Sequence, residues 1–201
     1  MLKITHIAHS CFLIENGLER LIIDPLDDSF GRPIRNEVVN YLLISHDHFD
    51  HNHTENIKVV ENEGTFTIKK YSCFHDEENG KKRGPNIIHV IETEGTIICH
   101  LGDLGHTLTE AQARQIGHID ILLIPVGGVF TIDYEHAIEV VNRLNPTIVI
   151  PMHYRTEYWG EDKGVDLVYK FLDNIKKYTV VKLNENYIEY KKSDEKIVYV
   201  I

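Results

Sequence analysis

Hydrophobic and polar residues alternate over Leu2–Ala8 at the start of the chain, which is the pattern of a half-buried β-strand. Two short, mainly apolar runs, Cys11–Glu15 and Arg20–Ile23, follow closely and predict a second and a third strand. Asn16-Gly17, between the second and third runs, is a strong signal for a tight hairpin turn. The opening of the chain is therefore predicted to be a β-meander, and the runs at 178–183, 186–191 and 196–201 predict three closing strands.

The middle of the chain mixes two kinds of hydrophobic pattern. Apolar or alternating runs predict further strands at 41–44, 65–70, 86–91, 96–100, 119–126 and 147–150. Helical spacing predicts helices at 109–116, 133–144 and 165–175, with Thr109 as the N-cap of the first, and a short helix is also expected at 55–61. Strands alternating with helices predict an α/β fold, and a length of 201 residues suits a single domain over 1–201.

Composition and charge narrow the range of functions. Hydrophobic residues make up 42% of the chain and charged residues 26%, which is ordinary for a globular protein. A formal net charge of −10 argues against a broad surface for nucleic acid or anionic membranes, but it does not exclude an anionic small molecule at a cationic pocket. Three cysteines with apolar neighbours predict reduced thiols and a cytoplasmic location. We find neither a signal-peptide pattern nor an apolar run long enough to span a membrane. The oligomeric state is not predicted.

The segment 45–53 carries the most concentrated chemistry of the chain. It places four histidines and two aspartates within nine residues, directly after the buried strand predicted at 41–44. Side chains alternate on an extended segment, so His46 and His48 are expected to project to the same side. Asp50 and His51 follow where the chain must bend and can face a second point nearby. Imidazole and carboxylate groups are the ligands that suit zinc, manganese and iron, so the segment predicts a metal site.

Other histidines and aspartates lie near the ends of predicted strands. Taken alone, His75 would be a surface histidine and Asp103 an aspartate in a glycine turn. Because the cluster at 46–51 supplies too few ligands to close two sites, His75 is interpreted as a further ligand of the first metal. His9 is interpreted as an ordinary loop histidine, and His100 as a strand residue that packs.

The pattern His46-x-His48-x-Asp50-His51 resembles the signature of the metallo-β-lactamase superfamily. The resemblance covers most of the chain, from the first meander to His153. It implies a four-layer αββα sandwich with the site at one edge between two sheets. The loop 76–86 and the segment around Asp103 and His106 look closest to the small metal-dependent hydrolases that include the ascorbate-6-phosphate lactonase type.

The resemblance also implies a ligand set for two divalent metal ions. One ion would be held by His46, His48 and His75, the other by Asp50, His51 and His153, with Asp103 bridging them and Asp24 orienting the ligand loop. Zinc is the expected ion, with manganese and iron as alternatives. The implied function is a binuclear hydrolase that uses a metal-bound hydroxide on a small ester, lactone or phosphodiester.

Proton transfer and substrate binding have weaker candidates. Asp50 could accept a proton, and His106 or Tyr154 could protonate the leaving group. Arg83 and Arg155 could bind an anionic group of a small-molecule substrate. For each of these side chains the alternative is an ordinary one: a solvated loop charge, a salt bridge at the rim or simple packing.

Two other functions stay open from the sequence. A nuclease acting on RNA or DNA would use the same ligands, although the net charge and the absence of a further nuclease domain count against it. A non-hydrolytic iron-binding redox protein is the second alternative. A vestigial site is poorly supported, because every expected ligand is present. The residues do not decide between a lactone and a phosphodiester.

Overall fold

The computed structural model of the protein describes residues 1–62 and 64–201, and it contains two large β-sheets, one two-stranded sheet and three α-helices. The strands are β1 (Leu2–Ala8), β2 (Cys11–Glu15), β3 (Arg20–Ile23), β4 (Glu37–Val39), β5 (Tyr41–Leu43), β6 (Ile57–Val59), β7 (Thr67–Phe74), β8 (Pro85–Thr93), β9 (Thr96–His100), β10 (Ile121–Pro125), β11 (Ile148–Met152), β12 (Thr179–Lys182), β13 (Tyr187–Tyr190) and β14 (Ile197–Val200). The helices are α1 (Glu110–Ile116), α2 (Tyr134–Leu144) and α3 (Tyr169–Asn174).

The first large sheet has the strand order β13-β1-β2-β3-β5. Its strands are antiparallel except for β3 and β5, which run parallel with Ile23 opposite Leu43. Parallel neighbours end at the same edge of a sheet. Asp24 after β3 and Ser45 near the end of β5 are therefore brought together.

The second large sheet has the order β12-β14-β11-β10-β9-β8-β7. Strands β9, β10 and β11 run parallel, while β8 is antiparallel to both β7 and β9. Consequently β7, β9, β10 and β11 all point the same way. The residues that follow three of them, His75, Asp103 and His153, arrive at one edge of the sheet.

Alternate side chains of β10 enter two different cores, as expected for a strand covered on both faces. Ile121 and Leu123 pack between the two sheets against residues such as Phe12 of β2. Leu122 and Ile124 pack on the opposite face, together with Val140 of α2 and other helix residues. The α/β class predicted from the sequence is therefore confirmed, with all three helices contributing to the core on the outer side of the seven-stranded sheet.

The outer face of the five-stranded sheet is covered mainly by the segment 26–39. Leu13 and Ile22 of the sheet pack there against Leu26, Phe30 and Ile34. This segment forms a single turn of 3-10 helix at Asp28–Phe30 and is otherwise irregular until β4. Prolines and a glycine at 25, 31 and 33 disfavour a longer helix at this position.

Most predicted elements are present, and four strands (β1, β2, β3 and β9) have the predicted bounds. The helix expected at 55–61 is wrong, because Ile57–Val59 is β6 and pairs in parallel with β4. The carbonyl of Asn56 accepts from Glu37 N–H at 2.9 Å, and Val60 N–H donates to Val39 at 2.8 Å, so tertiary pairing overrides local preference. The last helix is shorter than predicted.

The three cysteines are buried and free of disulfides. In the part of the chain that the structure describes, no helix is both long and apolar enough to cross a bilayer.

The N-terminus of α1 generates a prediction about stability. Thr109 Oγ1 accepts from Gln112 N–H at 3.2 Å, and Gln112 Oε1 accepts from Thr109 N–H at 2.9 Å. Thr109→Ala removes the first of these bonds and should lower the free energy of unfolding by about 1 kcal/mol, seen as a fall of roughly 2–4 °C in Tm. Thr109→Ser keeps the hydroxyl and is the control. An equal loss in both variants would contradict a capping role.

Candidate metal centre

The Asp103 carboxylate is the point on which the polar residues of the sheet edge converge. Its Oδ2 lies 3.1 Å from His153 Nε2, 3.2 Å from His51 Nε2, 3.3 Å from His75 Nε2 and 3.9 Å from His46 Nε2. All five residues are buried. They come from four separate segments, so only the folded chain brings them together.

The potential ligands form two groups, and within each group the ligand atoms lie within 4.8 Å of one another. The first group contains His46, His48 and His75, the set predicted for the first metal. The second group contains His9, His51, Asp103 and His153. Asp50, predicted as a ligand of the second metal, lies beside this group, with Oδ2 3.5 Å from His9 Nε2 and 3.9 Å from His51 Nε2.

Histidine ring nitrogens that lack a hydrogen-bond partner indicate whether the two groups suit a metal cation. Among the described residues, Nε2 of His9, His46 and His51 is buried without a hydrogen-bond partner and belongs to the ligand groups. Nδ1 of His75 and of His153 is also buried and unpartnered, but in both rings Nε2 is the atom that faces Asp103. A buried polar atom without a partner costs free energy, and several at one place need an explanation. Nitrogen donors around a central carboxylate fit the preferences of zinc, manganese and iron. The residues present therefore fit the metal ions expected from the sequence.

Burial sets the charge of His46 and His75. It lowers the pKa of His46 to about 3, with a further contribution from the nearby His51, and it lowers the pKa of His75 to about 4. These imidazoles are neutral at pH 7, the form that binds a metal. His51 differs: burial disfavours its cation, but the carboxylates of Asp103 and Asp24 raise its pKa well above the ordinary value.

Asp24 holds the histidine segment in place. It is fully buried, and its two carboxylate oxygens accept from the Ser45 backbone N–H and the Ser45 hydroxyl, each at 2.6 Å. His51 Nδ1 lies 3.0 Å from Asp24 Oδ2, and His46 Nδ1 lies 2.9 Å from Ser45 Oγ. Both rings thus use Nδ1 for these contacts, which leaves Nε2 free to face the centre.

His9 shows that sequence reasoning missed a residue of the site. It lies in the turn between β1 and β2 with φ +55°, and its carbonyl accepts from His6 Nε2 at 2.9 Å and from His153 N–H at 3.2 Å. Its buried ring lies 4.1 Å from the His153 ring and 4.4 Å from the Trp159 ring. The interpretation of His9 as an ordinary loop histidine is therefore wrong. The one signal in the sequence that could have linked His9 to the site was its position. It lies in a turn of the same predicted β-meander whose third strand is followed by Asp24.

The structure does not bring His106 to the cluster. Its Nδ1 lies 2.8 Å from the Thr107 carbonyl, and its Nε2 accepts from Phe74 N–H at 3.3 Å, so both nitrogens are used by the backbone. A side chain at Gly105 would collide with the backbone of His75 and Asp76. The chain after Asp103 thus runs close along the end of β7 and carries His106 away from the ligands.

The three candidate substrate residues have different positions. Arg83 lines the cavity over the centre. Tyr154 is partly buried beside the helix-side core and lines a separate cavity of about 280 Å³. Burial raises its pKa. Arg155 follows Tyr154, and its backbone N–H donates to the Asp166 carbonyl at 2.8 Å. Neither Tyr154 nor Arg155 lines the cavity over the centre.

The cavity over the two groups has a volume of about 420 Å³ and connects the ligands to solvent. Its lining residues are His48, Phe49, Asp50, His75, Arg83, Asp103, Phe130, His153, Trp159 and Lys163. Aromatic side chains and two cations therefore surround a metal-type cluster. Lys163, Phe130 and Trp159 were not identified from the sequence, because nothing local links them to the histidine segment.

Comparisons with known proteins agree with this geometry. Residues 3–153 match the family described as the beta-lactamase superfamily domain. The chain is similar to a UPF0173 metal-dependent hydrolase of Nanoarchaeum equitans, with 31% identity, covering 83% of this chain and 95% of the relative. A UPF0173 metal-dependent hydrolase of Desulforamulus reducens is 29% identical over 77% of this chain and 85% of its own length.

A solved structure shares the fold over the full chain. It is a candidate Zn-dependent hydrolase of the metallo-beta-lactamase superfamily from Thermotoga maritima, 36% identical, with a TM-score of 0.78. The match covers 100% of this chain and 98% of the other. The metallo-β-lactamase fold expected from the histidine pattern is thus confirmed.

The third histidine of the first group can be tested by substitution. His75→Ala should reduce the metal content of the purified protein by about one ion per chain, because His75 Nε2 faces Asp103 within the ligand cluster. His106→Ala is the matched control and should leave the metal content unchanged. Elemental analysis of both variants measures this. Metal loss in His106→Ala alone would show that the third histidine is misassigned.

His9 gives a second prediction for the centre. His9→Ala should weaken metal binding at the second group by roughly tenfold or more, since it removes a buried nitrogen beside His51, His153 and Asp50. Competition with a chelator measures the affinity, and circular dichroism checks the fold. His118→Ala, at an exposed ring, is the control. Unchanged affinity in folded His9→Ala would exclude His9 from the centre.

Proposed function

Because the chain belongs to the beta-lactamase superfamily domain family, we propose that this metal-dependent hydrolase works with two divalent metal ions on a small ester, lactone or phosphodiester. The observation that carries the proposal is the convergence of two groups of buried histidines on the Asp103 carboxylate. A single ion would leave one group of nitrogens without a partner.

The donor atoms support one assignment of ligands. His46, His48 and His75 would hold the first ion. His51 and His153 would hold the second, with His9 and Asp50 beside them. Asp103 belongs to the second group and lies 3.3 Å from His75 of the first, which supports the proposal that its carboxylate would be shared by the two ions. The donor types favour zinc, with manganese and iron as alternatives.

The protein's own groups have distinct tasks in such a reaction. Two ions held by these residues would supply an acidified water and would polarise a carbonyl or phosphoryl oxygen. Asp50 borders the cavity with a side chain that is 14% exposed, so its carboxylate can accept a hydrogen bond from the attacking water. Asp24 and Ser45 keep the rings of His51 and His46 in fixed orientations. His106 has no place in this scheme.

The substrate that we propose is a small, negatively charged molecule. A cavity of about 420 Å³ lies within the range of small-molecule sites. Arg83 and Lys163 line it, although the whole chain carries a net charge of −10. Similarity to the ascorbate-6-phosphate lactonase type stays a prediction, as does the choice between lactone and phosphodiester. We also propose a cytoplasmic location, which the free buried cysteines support.

Metal content and turnover test the function together. The purified protein should contain about two metal ions per chain and should hydrolyse members of one class in a panel of lactones, simple esters and model phosphodiesters. A chelator should abolish turnover, and zinc or manganese should restore it. Asp103→Asn, prepared in parallel, should lose both metal and turnover.

Three different results would contradict different parts of this proposal. About one ion per chain with full turnover would contradict the binuclear proposal. Retention of both ions and of activity in Asp103→Asn would remove this carboxylate as the bridge. Failure to bind zinc, manganese or iron after reconstitution would contradict the proposed function as a whole.

A further inference from the structure

We infer that the cavity over the centre binds a substrate carrying both an oxyanion and a flat apolar group, and that Arg83 selects the negative charge. The inference rests on the proposed function, because it treats this cavity as the substrate site. It adds a named recognition residue and the chemical class of the molecule that the site accepts.

Arg83 is a half-buried cation that the protein leaves available for a ligand. Its Nη2 donates to the Val129 carbonyl at 2.9 Å, and its guanidinium lies 5.7 Å from the centroid of the Phe130 ring. Within residues 1–62 and 64–201, Arg83 forms no salt bridge with a carboxylate. The Val129 carbonyl and the face of the Phe130 ring stabilise the guanidinium without neutralising its charge. A bound oxyanion would supply a neutralising partner, in the geometry that arginine favours.

The loop that carries Arg83 is built around a buried carboxylate. Asp76 accepts from the backbone N–H groups of Glu78, Gly80, Lys82 and Arg83 at distances of 2.7 to 2.9 Å. These four bonds hold the loop in one conformation, which reduces the entropy lost when a ligand binds. Asp76 directly follows His75, so this loop begins at a residue of the metal centre.

The backbone that fixes the Arg83 side chain is strained. Val129 has φ +65°, which is unfavourable for a β-branched residue, and its side chain is 50% exposed, so core packing does not explain the conformation. A side chain at Gly127 would collide with the His153 carbonyl, so the same segment is packed closely against a ligand residue. The strained segment thus joins the metal centre to the carbonyl that orients Arg83. This connection fixes the position of the Arg83 guanidinium relative to the proposed metal ligands.

The remaining walls of the cavity favour a flat apolar group. Phe49, Phe130 and Trp159 line it, and Phe49 is 71% exposed. The Trp159 ring lies edge-on to the His153 ring at 5.0 Å, which places an aromatic surface beside the ligands. Aromatic faces bind other rings and apolar groups with a net gain.

Lys163 is a second cation of this cavity, but it is already paired. Its Nζ lies 2.9 Å from Asp162 Oδ1 and 6.0 Å from the Trp159 ring centroid, and the residue is exposed. A solvent-exposed pair of this kind contributes little to selectivity. The unpaired Arg83 is therefore the residue on which charge recognition should depend.

The structure also supplies its own probe for the test. Trp159 is the only tryptophan of the chain and lines the cavity, so its fluorescence should respond to occupancy. We would titrate metal-free and zinc-reconstituted full-length protein with benzoate, phenylphosphonate, neutral benzamide and acetate. Benzoate or phenylphosphonate should bind at least about tenfold more tightly than benzamide, as expected for a charge-assisted hydrogen bond. Acetate, which lacks a ring, should bind more weakly than benzoate.

Substitution of Arg83 isolates its contribution. Arg83→Gln should bind benzoate no more tightly than benzamide, while Arg83→Lys should keep part of the preference. Arg143→Gln is the matched control, because Arg143 lies on α2 in an exposed pair with Glu139. It should bind all four probes like the unmodified protein. Circular dichroism of each variant confirms that the fold is retained.

The results separate this inference from the proposed function. Equal binding of benzoate and benzamide would overturn the inference. An anion preference that survives in Arg83→Gln would also overturn it, because the metal ions would then be the group that binds the anion. An Arg83-dependent preference in a protein that binds no metal would support charge recognition while contradicting the hydrolase mechanism. A preference for phenylphosphonate over benzoate that Arg83→Gln abolishes would support the inference and identify a phosphate-type oxyanion.

Discussion

The cost of burying histidines and aspartates together is the constraint on which the rest of this structure depends. Three histidines, His51, His75 and His153, approach one carboxylate oxygen of Asp103 within 3.3 Å. Each of these rings, and those of His9 and His46, has a buried nitrogen without a hydrogen-bond partner among the described residues. Such a cluster is unfavourable in an apolar interior unless cations compensate it. The fold therefore has to deliver these groups accurately and also has to keep other acceptors away from them. Both requirements explain why the backbone near the centre is so tightly specified.

Three of the eight described non-glycine residues with left-handed backbone conformations lie where strands end at the centre. His9, Asp24 and His153 have φ values of 55°, 48° and 50°, in a region that residues other than glycine seldom adopt. Each bends the chain sharply after a strand and turns a functional group inward. Hydrogen bonds hold these bends: His153 N–H donates to the His9 carbonyl, and Asp24 N–H donates to the Leu43 carbonyl. Local strain is thus retained at the positions where the ligands are set, as is common at functional sites.

Sequence reasoning succeeded where the signal was local. The alternation in β1 and the apolar runs of β2 and β3 predicted their bounds. The spacing of His46 and His48 indicated that both project to the same side, because side-chain direction along a strand end follows from position alone. It failed where the outcome depended on distant contacts. His9 reaches the centre through its pairing with His153, and His106 is carried away because the chain at Gly105 passes against His75. Ile57–Val59 became a strand because β4 lies beside it. None of these contacts leaves a pattern near the residue concerned.

The two ligand groups have a further consequence for the fold, because each draws on both sheets. His46 and His48 follow the five-stranded sheet, whereas His75 follows β7 of the seven-stranded sheet. In the second group, His9 and His51 come from the first sheet, and Asp103 and His153 from the second. An ion in either group would therefore link the two sheets at their shared edge, in addition to the hydrophobic core between them. Since binding to the folded state alone adds to its stability, the same ions that serve the chemistry would also hold the sandwich closed at the site. The arrangement explains why the ligands can be spread from residue 9 to residue 153: strands of both sheets deliver them to the edge that the sheets share, where the candidate metal centre lies.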